Sequence, residues 1–421
     1  VGMTGTEIPF REFMQKELSL VVSRSYGPGR YDADYEERGM KYPPGYVPWT
    51  ETRNLKETVR QMSRNRANFL DVESLITHRI PFGKAEQAYA MVTENTEPHL
   101  GVVLTYDETV GSDSPRLHLP LASSKAKSSG GCILGVIGAG AFARAMLLPR
   151  LKGMKSCRLH TLVTKRSVSA GYSAESFGFE VAATGQDAVL ENEDINAVLI
   201  ATRHAGHAAL TAAALAAGKN VLVEKPLALT REELNTVIEA RNRSDAFFQV
   251  GFNRRFAPMA TEVARHLQGR PSPRFVLMRI NAGALPADSW QNAPEEGHGR
   301  ILGELCHFVD LARFWIGAPI NSVQAAAATV TQGACDDLTA TLRFADGSLA
   351  TIAYTAKGDS SFSKELFEAY AGGTVVTIDD FRKLTIVADG HTNTTNARGQ
   401  DKGHAAQLEA EIRAGLEQPI E

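Results

Sequence analysis

The strongest constraint on the fold is a strand–turn–helix pattern at residues 132–151. Cys132-Ile-Leu-Gly-Val-Ile137 is a continuous apolar run, Gly138-Ala-Gly140-Ala-Phe-Ala143 follows it directly, and Ala141 to Leu151 reads as a helix. A continuous apolar strand is one covered on both faces, as parallel strands are. Two glycines at the turn let the backbone approach a pyrophosphate, and the N-terminus of the following helix favours its negative charge. A ligand-free tight turn is the bland alternative, and the flanking strand and helix weigh against it. Gly138, Gly140, Ala141 and Phe142 are therefore candidate cofactor-binding residues.

The alternation continues. Strands are expected near Arg158–Val163, Ala197–Ala201, Asn220–Val223 and Phe247–Val250. Helices are expected at Val168–Phe177, at Gly206–Ala217 closed by Gly218, and from a Thr230/Glu233 capping box to about Asn242. Such alternation implies parallel βαβ units, a doubly wound sheet of Rossmann type. From about residue 270 the pattern changes. Phe275–Ile280, Ser322–Val330, Leu338–Phe344, Leu349–Tyr354 and Val375–Ile378 read as strands, Asp346-Gly347 as a hairpin turn, and Gly303–Ile316 as the one helix. The fold class is α/β, a doubly wound parallel sheet followed by an α+β domain with a mainly antiparallel open sheet.

Residues 109–131, TVGSDSPRLHLPLASSKAKSSGG, are rich in Ser and Gly without apolar period and read as a linker. The expected organisation is a first block over 1–108, the linker, a dinucleotide-binding domain over 132–252 and an α+β substrate or oligomerisation domain over 253–421. Over 421 residues, 43% hydrophobic and 22% charged residues are enough for real cores. A net charge of −3 argues against nucleic-acid binding through bulk charge. Cys132, Cys157, Cys306 and Cys335 lack CxxC spacing, which points to a reducing, cytoplasmic setting, and no apolar run is long enough for a membrane span. The opening at Val1, in mid-pattern, reads as part of a longer gene product.

Three further features carry chemistry. At the end of the second strand, where a carboxylate would hold the 2′-hydroxyl of NAD, the chain has Thr164-Lys165-Arg166. Two cations would welcome a 2′-phosphate, so NADP is favoured weakly over NAD; a solvated basic turn is an equal alternative. Next, Glu224-Lys225-Pro226 closes an apolar parallel strand, and ligands of open α/β sheets bind beside such ends. Lys225 would lie near the nicotinamide and exchange protons there; an ordinary surface ion pair is the bland reading. Finally, His307 lies off the apolar stripe of Leu305, Phe308, Val309, Ala312 and Ile316, with Asp310 one turn later. A satisfied histidine on a buried helix is its bland reading. His204 and His298 are read more readily as exposed loop histidines than as cleft residues.

GAGAFA at 138, IATRHAGHAALTAAALAAGKNVLVEKPLA at 200, VGFNRRFAP at 250 and GHGRILGELCHFVDL at 297, in this order, resemble the Gfo/Idh/MocA oxidoreductases. The resemblance covers roughly Cys132 to the end. It implies a Rossmann domain followed by an open sheet, and hydride transfer between NAD(P) and a hydroxyl or keto group of a sugar, nucleotide-sugar or cyclitol. It also implies that Lys225 is catalytic with Glu224 touching the cofactor region, that Thr202 and His207 line the nicotinamide side, and that Arg254 leads into the second domain. His307 would be the histidine of the second catalytic motif. Many relatives carry Asp four residues before it; here that residue is Gly303, and Asp310 or Glu304 is left to orient the imidazole. The alternative is a non-catalytic NAD(P)- and sugar-binding sensor or scaffold. A small sugar-like substrate is the expected partner, with no nucleic acid, no membrane, no metal, and a possible homo-oligomer.

Within the first block, KELSLVVSRSYGPGRYDADYEERGMKYPPGYVPWTETRN and ESLITHRIPFGKAEQAYAMV resemble the C-terminal part of a medium-chain, zinc-type alcohol dehydrogenase, without its metal ligands.

Overall fold

The computed structural model describes residues 9–19, 28–29, 32, 35, 42–43, 45–63, 70–106, 117–121, 131–285, 289–293, 295–297, 299–328, 336–359 and 361–417. It divides into two units, Val1–Ser114 and Pro115–Glu421. In the first unit, α1 (Phe10–Gln15) and α2 (Glu51–Met62) precede a βαβ crossover. Strand β1 (Ile76–Pro81), helix α3 (Ala85–Glu94) and strand β2 (Gly101–Thr105) bring the two strands together in parallel.

The second unit holds two sheets. The first has seven strands, β3 (His118–Pro120), β4 (Cys132–Ile137), β5 (Cys157–Val163), β6 (Val181–Ala183), β7 (Ala197–Ile200), β8 (Asn220–Val223) and β9 (Phe248–Val250). They lie in the order β3-β6-β5-β4-β7-β8-β9. All pairs are parallel except β3–β6. The reversal of chain direction around β4 puts a crevice at its C-terminal end, where Gly138 lies. Helices α4 (Leu148–Gly153, entered through a π turn at Ala143–Leu147), α5 (Ser167–Phe177), α6 (Asp187–Leu190), α7 (His207–Ala216) and α8 (Arg231–Asn242) cover the sheet. Val136, Leu162, Ile200 and Val223 are fully buried, each worth roughly 1.5–3 kcal/mol of apolar burial.

One expectation needs correction here. Part of the stretch read as a linker is strand β3: Leu117 N donates to Thr184 Oγ1 at 2.8 Å and Leu121 N to Glu180 O at 2.7 Å. Leu119 and Pro120 beside serines gave too short a pattern to see, and pairing along β6 decides the matter. Strand β6 and helix α6 were likewise unforeseen, both being too short to show a period.

The second sheet has eight strands: β10 (Phe275–Asn281), β11 (Ile320–Ala327), β12 (Leu338–Phe344), β13 (Leu349–Thr355), β14 (Glu365–Ala371), β15 (Thr374–Asp379), β16 (Lys383–Ala388) and β17 (His391–Asn396). The order is β11-β12-β13-β10-β14-β15-β16-β17, antiparallel except for β10–β13. Burial alternates along β13, β14 and β15, the mark of a sheet packed on one face. That face packs on α9 (Pro258–Leu267) and α10 (Cys306–Ile316, entered through a π turn at Ile301–Leu305), with Phe308, Leu311, Trp315, Phe344 and Phe367 in one cluster. The last helix, α11 (His404–Glu417), returns to the first sheet, where Leu408 and Ile412 join the cluster of Leu134, Leu151 and Leu199.

Candidate active site

The site is assembled where β4, β7 and β8 end. Gly138 has φ +107°, and a Cβ there would collide with Ala201 O and meet Thr202 N at 2.8 Å, so the turn after β4 packs against the turn after β7. A Cβ at Gly140 would meet nothing, so its backbone faces open space in front of a helix N-terminus. This cradle fits a pyrophosphate. Ala141 and Phe142 are exposed beside it, and the Phe142 ring tilts against His404 at 5.8 Å. Gly138 N donates to Val163 O at 2.9 Å, bringing the end of β5 alongside. Lys165 and Arg166 are exposed there, while Thr164 Oγ1 donates to Arg166 O at 2.8 Å.

At the end of β8, Glu224 is buried and its carboxyl lies against Gly251, where a Cβ would come within 3.0 Å of it. Burial pushes its pKa up to about 7, against the opposing pull of Lys225. Lys225, half-buried, donates from Nζ to Gly303 O at 2.8 Å. Thus the first sheet's strand-end lysine is anchored on the π turn that opens α10.

His307 is 5% exposed, its ring edge-on to Phe252 at 6.0 Å. Burial first, and then the charges of Arg254, Lys225, His404 and Lys402, drive its pKa well below the usual range. The imidazole is therefore neutral, and among the described residues its buried Nδ1 has no hydrogen-bond partner. His307 was expected off the apolar stripe and oriented by a carboxylate. The structure buries it and supplies neither carboxylate. Asp310 forms a bidentate pair with Arg255, and Glu304 accepts from Tyr354 Oη at 2.5 Å and from Lys364 Nζ at 2.7 Å. Each nearby cation or hydroxyl has captured a carboxylate that sequence spacing alone would have aimed at the histidine.

His207, expected to line the nicotinamide side, is buried at the strand ends. Nδ1 lies 2.7 Å from Pro226 O and Nε2 3.2 Å from Thr202 O, so the ring sits between the β7 and β8 turns with its one N–H donated to one of the two carbonyls. Thr202 stays half-exposed in its turn. Arg254 is buried in an ion pair with Glu365.

His204, expected as an exposed loop residue, is only 5% exposed. Its Nδ1 meets Gly297 O at 3.1 Å, and its ring stands edge-on to Trp290 at 4.8 Å. Sequence reasoning missed it because its partners lie some ninety residues away; its place just past β7 was the available signal. His298 and Cys335 lie outside the described residues. Among the described residues, no three His, Cys, Asp or Glu side chains gather as metal ligands, and no helix is long and apolar enough to cross a membrane.

Residues 133–252 match the family described as "Oxidoreductase family, NAD-binding Rossmann fold", and residues 265–364 match the "GFO/IDH/MocA C-terminal domain". The chain belongs to the Gfo/Idh/MocA oxidoreductase family. As such a Gfo/Idh/MocA protein it is 27% identical over 280 residues to the 1,5-anhydro-D-fructose reductase of Ensifer adhaerens, covering 64% of this chain and 81% of that one. It is 24% identical over 260 residues to the myo-inositol 2-dehydrogenase of Thermotoga maritima, covering 60% and 77%. The fold is that of a levoglucosan dehydrogenase solved with NADH and levoglucosan, with TM-score 0.60, 22% identity, and 68% and 90% coverage. The chain is an NAD(P)-dependent oxidoreductase of this family, acting on CH–OH groups.

Proposed function

We propose that this protein interconverts a secondary hydroxyl and a ketone on a sugar, nucleotide-sugar or cyclitol, with Lys225 as the proton-handling residue. The observation that carries this reading is the Lys225–Gly303 contact, which fixes an ammonium between the nucleotide cradle and the second domain. When bound, the nicotinamide supplies the hydride acceptor for oxidation and the donor for reduction. The backbone at Gly138 and Gly140 holds the pyrophosphate, with Ala141 and Phe142 bordering it. Glu224 and Thr202 border the nicotinamide side. Lys225 holds the substrate oxygen and moves its proton, while neutral His307 offers Nδ1 as a hydrogen-bond partner.

Single-turnover reduction of NAD+ or NADP+ over myo-inositol, levoglucosan and nucleotide-sugars tests the reading. Lys225→Met should slow it by ~10²–10⁴-fold with nucleotide affinity nearly unchanged. A full rate in that variant would favour a binding-only role.

NADP preference rests on exposed Lys165 and Arg166 beside the cradle. NADPH should bind more tightly than NADH, and Arg166→Ala should narrow the gap by about tenfold, the scale of one charge-assisted contact. Equal affinities in the unmutated protein would refute it. For the first unit, the parallel β1–α3–β2 crossover supports its reading as the end of an alcohol dehydrogenase-like Rossmann domain. A cytoplasmic location and a homo-oligomer complete the proposal.

A further inference from the structure

With no side chain at Gly303, the space beside the Lys225 anchor belongs to another residue. A Cβ built at Gly303 would lie 2.9 Å from His204 Cε1 and 3.9 Å from its Nε2. The carbonyl of this same Gly303 receives Lys225 Nζ at 2.8 Å. A histidine from the end of β7 and a lysine from the end of β8 therefore converge on one residue of the π turn.

The ring is fixed and its chemistry is directed. Gly297 O lies 3.1 Å from Nδ1, and a carbonyl can only accept, so the hydrogen sits on Nδ1. In the neutral ring Nε2 is then the basic nitrogen, and it has no hydrogen-bond partner among the described residues. Burial first, with smaller contributions from Lys225 and His207, lowers the His204 pKa to about 4, while the Gly297 bond opposes them. The ring is thus uncharged at neutral pH, with its lone pair free. Trp290, edge-on at 4.8 Å, shields one side. His307, by contrast, lies under the charges of Arg254, Lys225 and Lys402, and its Nδ1 has no partner among the described residues to stabilise an imidazolium.

We propose that His204 is a further catalytic residue, whose Nε2 accepts the substrate hydroxyl proton next to Lys225. This deepens the proposed function and rests on it. In the oxidation direction the carbinol C–H and O–H bonds break and C=O forms. The C–H electron pair leaves with its hydrogen as hydride to the nicotinamide, and the hydroxyl proton, handed on by Lys225, forms the new Nε2–H bond. Reduction returns that proton to the alkoxide oxygen. The Nδ1–H···O=C bond to Gly297 strengthens as the ring becomes positive, which stabilises the transition state in the way a carboxylate stabilises a catalytic imidazolium.

The test uses the full chain. In ¹⁵N-histidine-labelled protein without ligand, the His204 resonances, assigned by their loss in His204→Gln, should report hydrogen on Nδ1 and a bare Nε2 at pH 7. An Nε2–H tautomer would overturn the proposal. With NAD+ or NADP+ and the best substrate among myo-inositol, levoglucosan and nucleotide-sugars, His204→Ala should slow single turnover by ~10²–10⁴-fold, leaving NADH affinity and thermal midpoint nearly unchanged. Adding Gly303→Asp to His204→Ala, which places a carboxylate in the vacated space, should recover about tenfold or more. Gly303→Asp alone should displace the ring and shift the His204 resonances. Two outcomes would sink the proposal: near-full turnover in His204→Ala, or loss of turnover together with nucleotide affinity. Lys225→Met separates the two levels. If it abolishes turnover while His204→Ala does not, only the His204 role fails; if it is itself fully active, the proposed function fails.

Discussion

Arg254 and Glu365, 111 residues apart, meet as a buried bidentate pair, with Nη2 to Oε1 at 2.7 Å and Nε to Oε2 at 3.1 Å. Glu365 is completely buried and also takes Lys402 Nζ at 2.7 Å. The pair joins the turn after β9, the start of β14 and the segment entering α11. Removing one partner of a buried pair leaves an uncompensated charge, so Arg254→Met should cost about 3–5 kcal/mol. Despite burial, Arg254 above all and then Lys402 hold the Glu365 pKa down to about 2. A depressed carboxylate contributes stability that is full above its unfolded pKa of about 4.5 and lost as pH falls through 2. Urea unfolding at pH 6 and pH 3 should therefore show an acid loss in the unmutated protein that Glu365→Gln lacks. An unchanged slope would remove the pair from the acid response.

Glu224 has the opposite sign. Its pKa is raised by burial to about 7, so the folded state holds a proton that the unfolded chain releases near pH 4.5. Its contribution is complete below 4.5 and declines as pH rises to 7, by roughly 3 kcal/mol in all. Glu224→Gln should be the more stable protein at pH 8 and close to the unmutated one at pH 4. Unfolding curves at both pH values check this.

The two glycines of the cradle should separate fold from binding. Gly138→Ala meets both a positive φ and the Ala201 backbone, so it should lower the thermal midpoint as well as nucleotide affinity. Gly140→Ala meets nothing in the protein, so the midpoint should hold while NADH affinity falls. Calorimetry and fluorescence titration of both variants suffice.

Strand β3 predicts a boundary. A chain starting at Pro115 keeps the edge pairing of His118–Pro120 on Val181–Ala183, and one starting at Gly131 loses it. Both should unfold cooperatively, the shorter with a thermal midpoint about 1–2 °C lower, the scale of a loss of about 1 kcal/mol in a chain of this size. Identical midpoints would show that β3 adds no stability.

The sequence by itself determined whatever local patterning controls. Cys132–Ile137, Asn220–Val223 and the Thr230/Glu233 capping box stand where their residues dictate, because continuous apolar runs, glycine turns and helix caps act over a few residues. The places of Gly138, Gly140, Glu224 and Lys225 just past strand ends were legible for the same reason, since strand ends of a doubly wound sheet converge by topology. Partner choice lay beyond it. Strand β14 begins with a glutamate, which local propensity rejects, and only Arg254 and Lys402 make that buried carboxylate tolerable. Asp310 could not be seen to belong to Arg255, nor Glu304 to Lys364, because ion pairs form between side chains that tertiary packing brings together. The same packing drew His204 out of its loop and into the space that Gly303 leaves open, where a missing side chain on one segment becomes room for a ring from another.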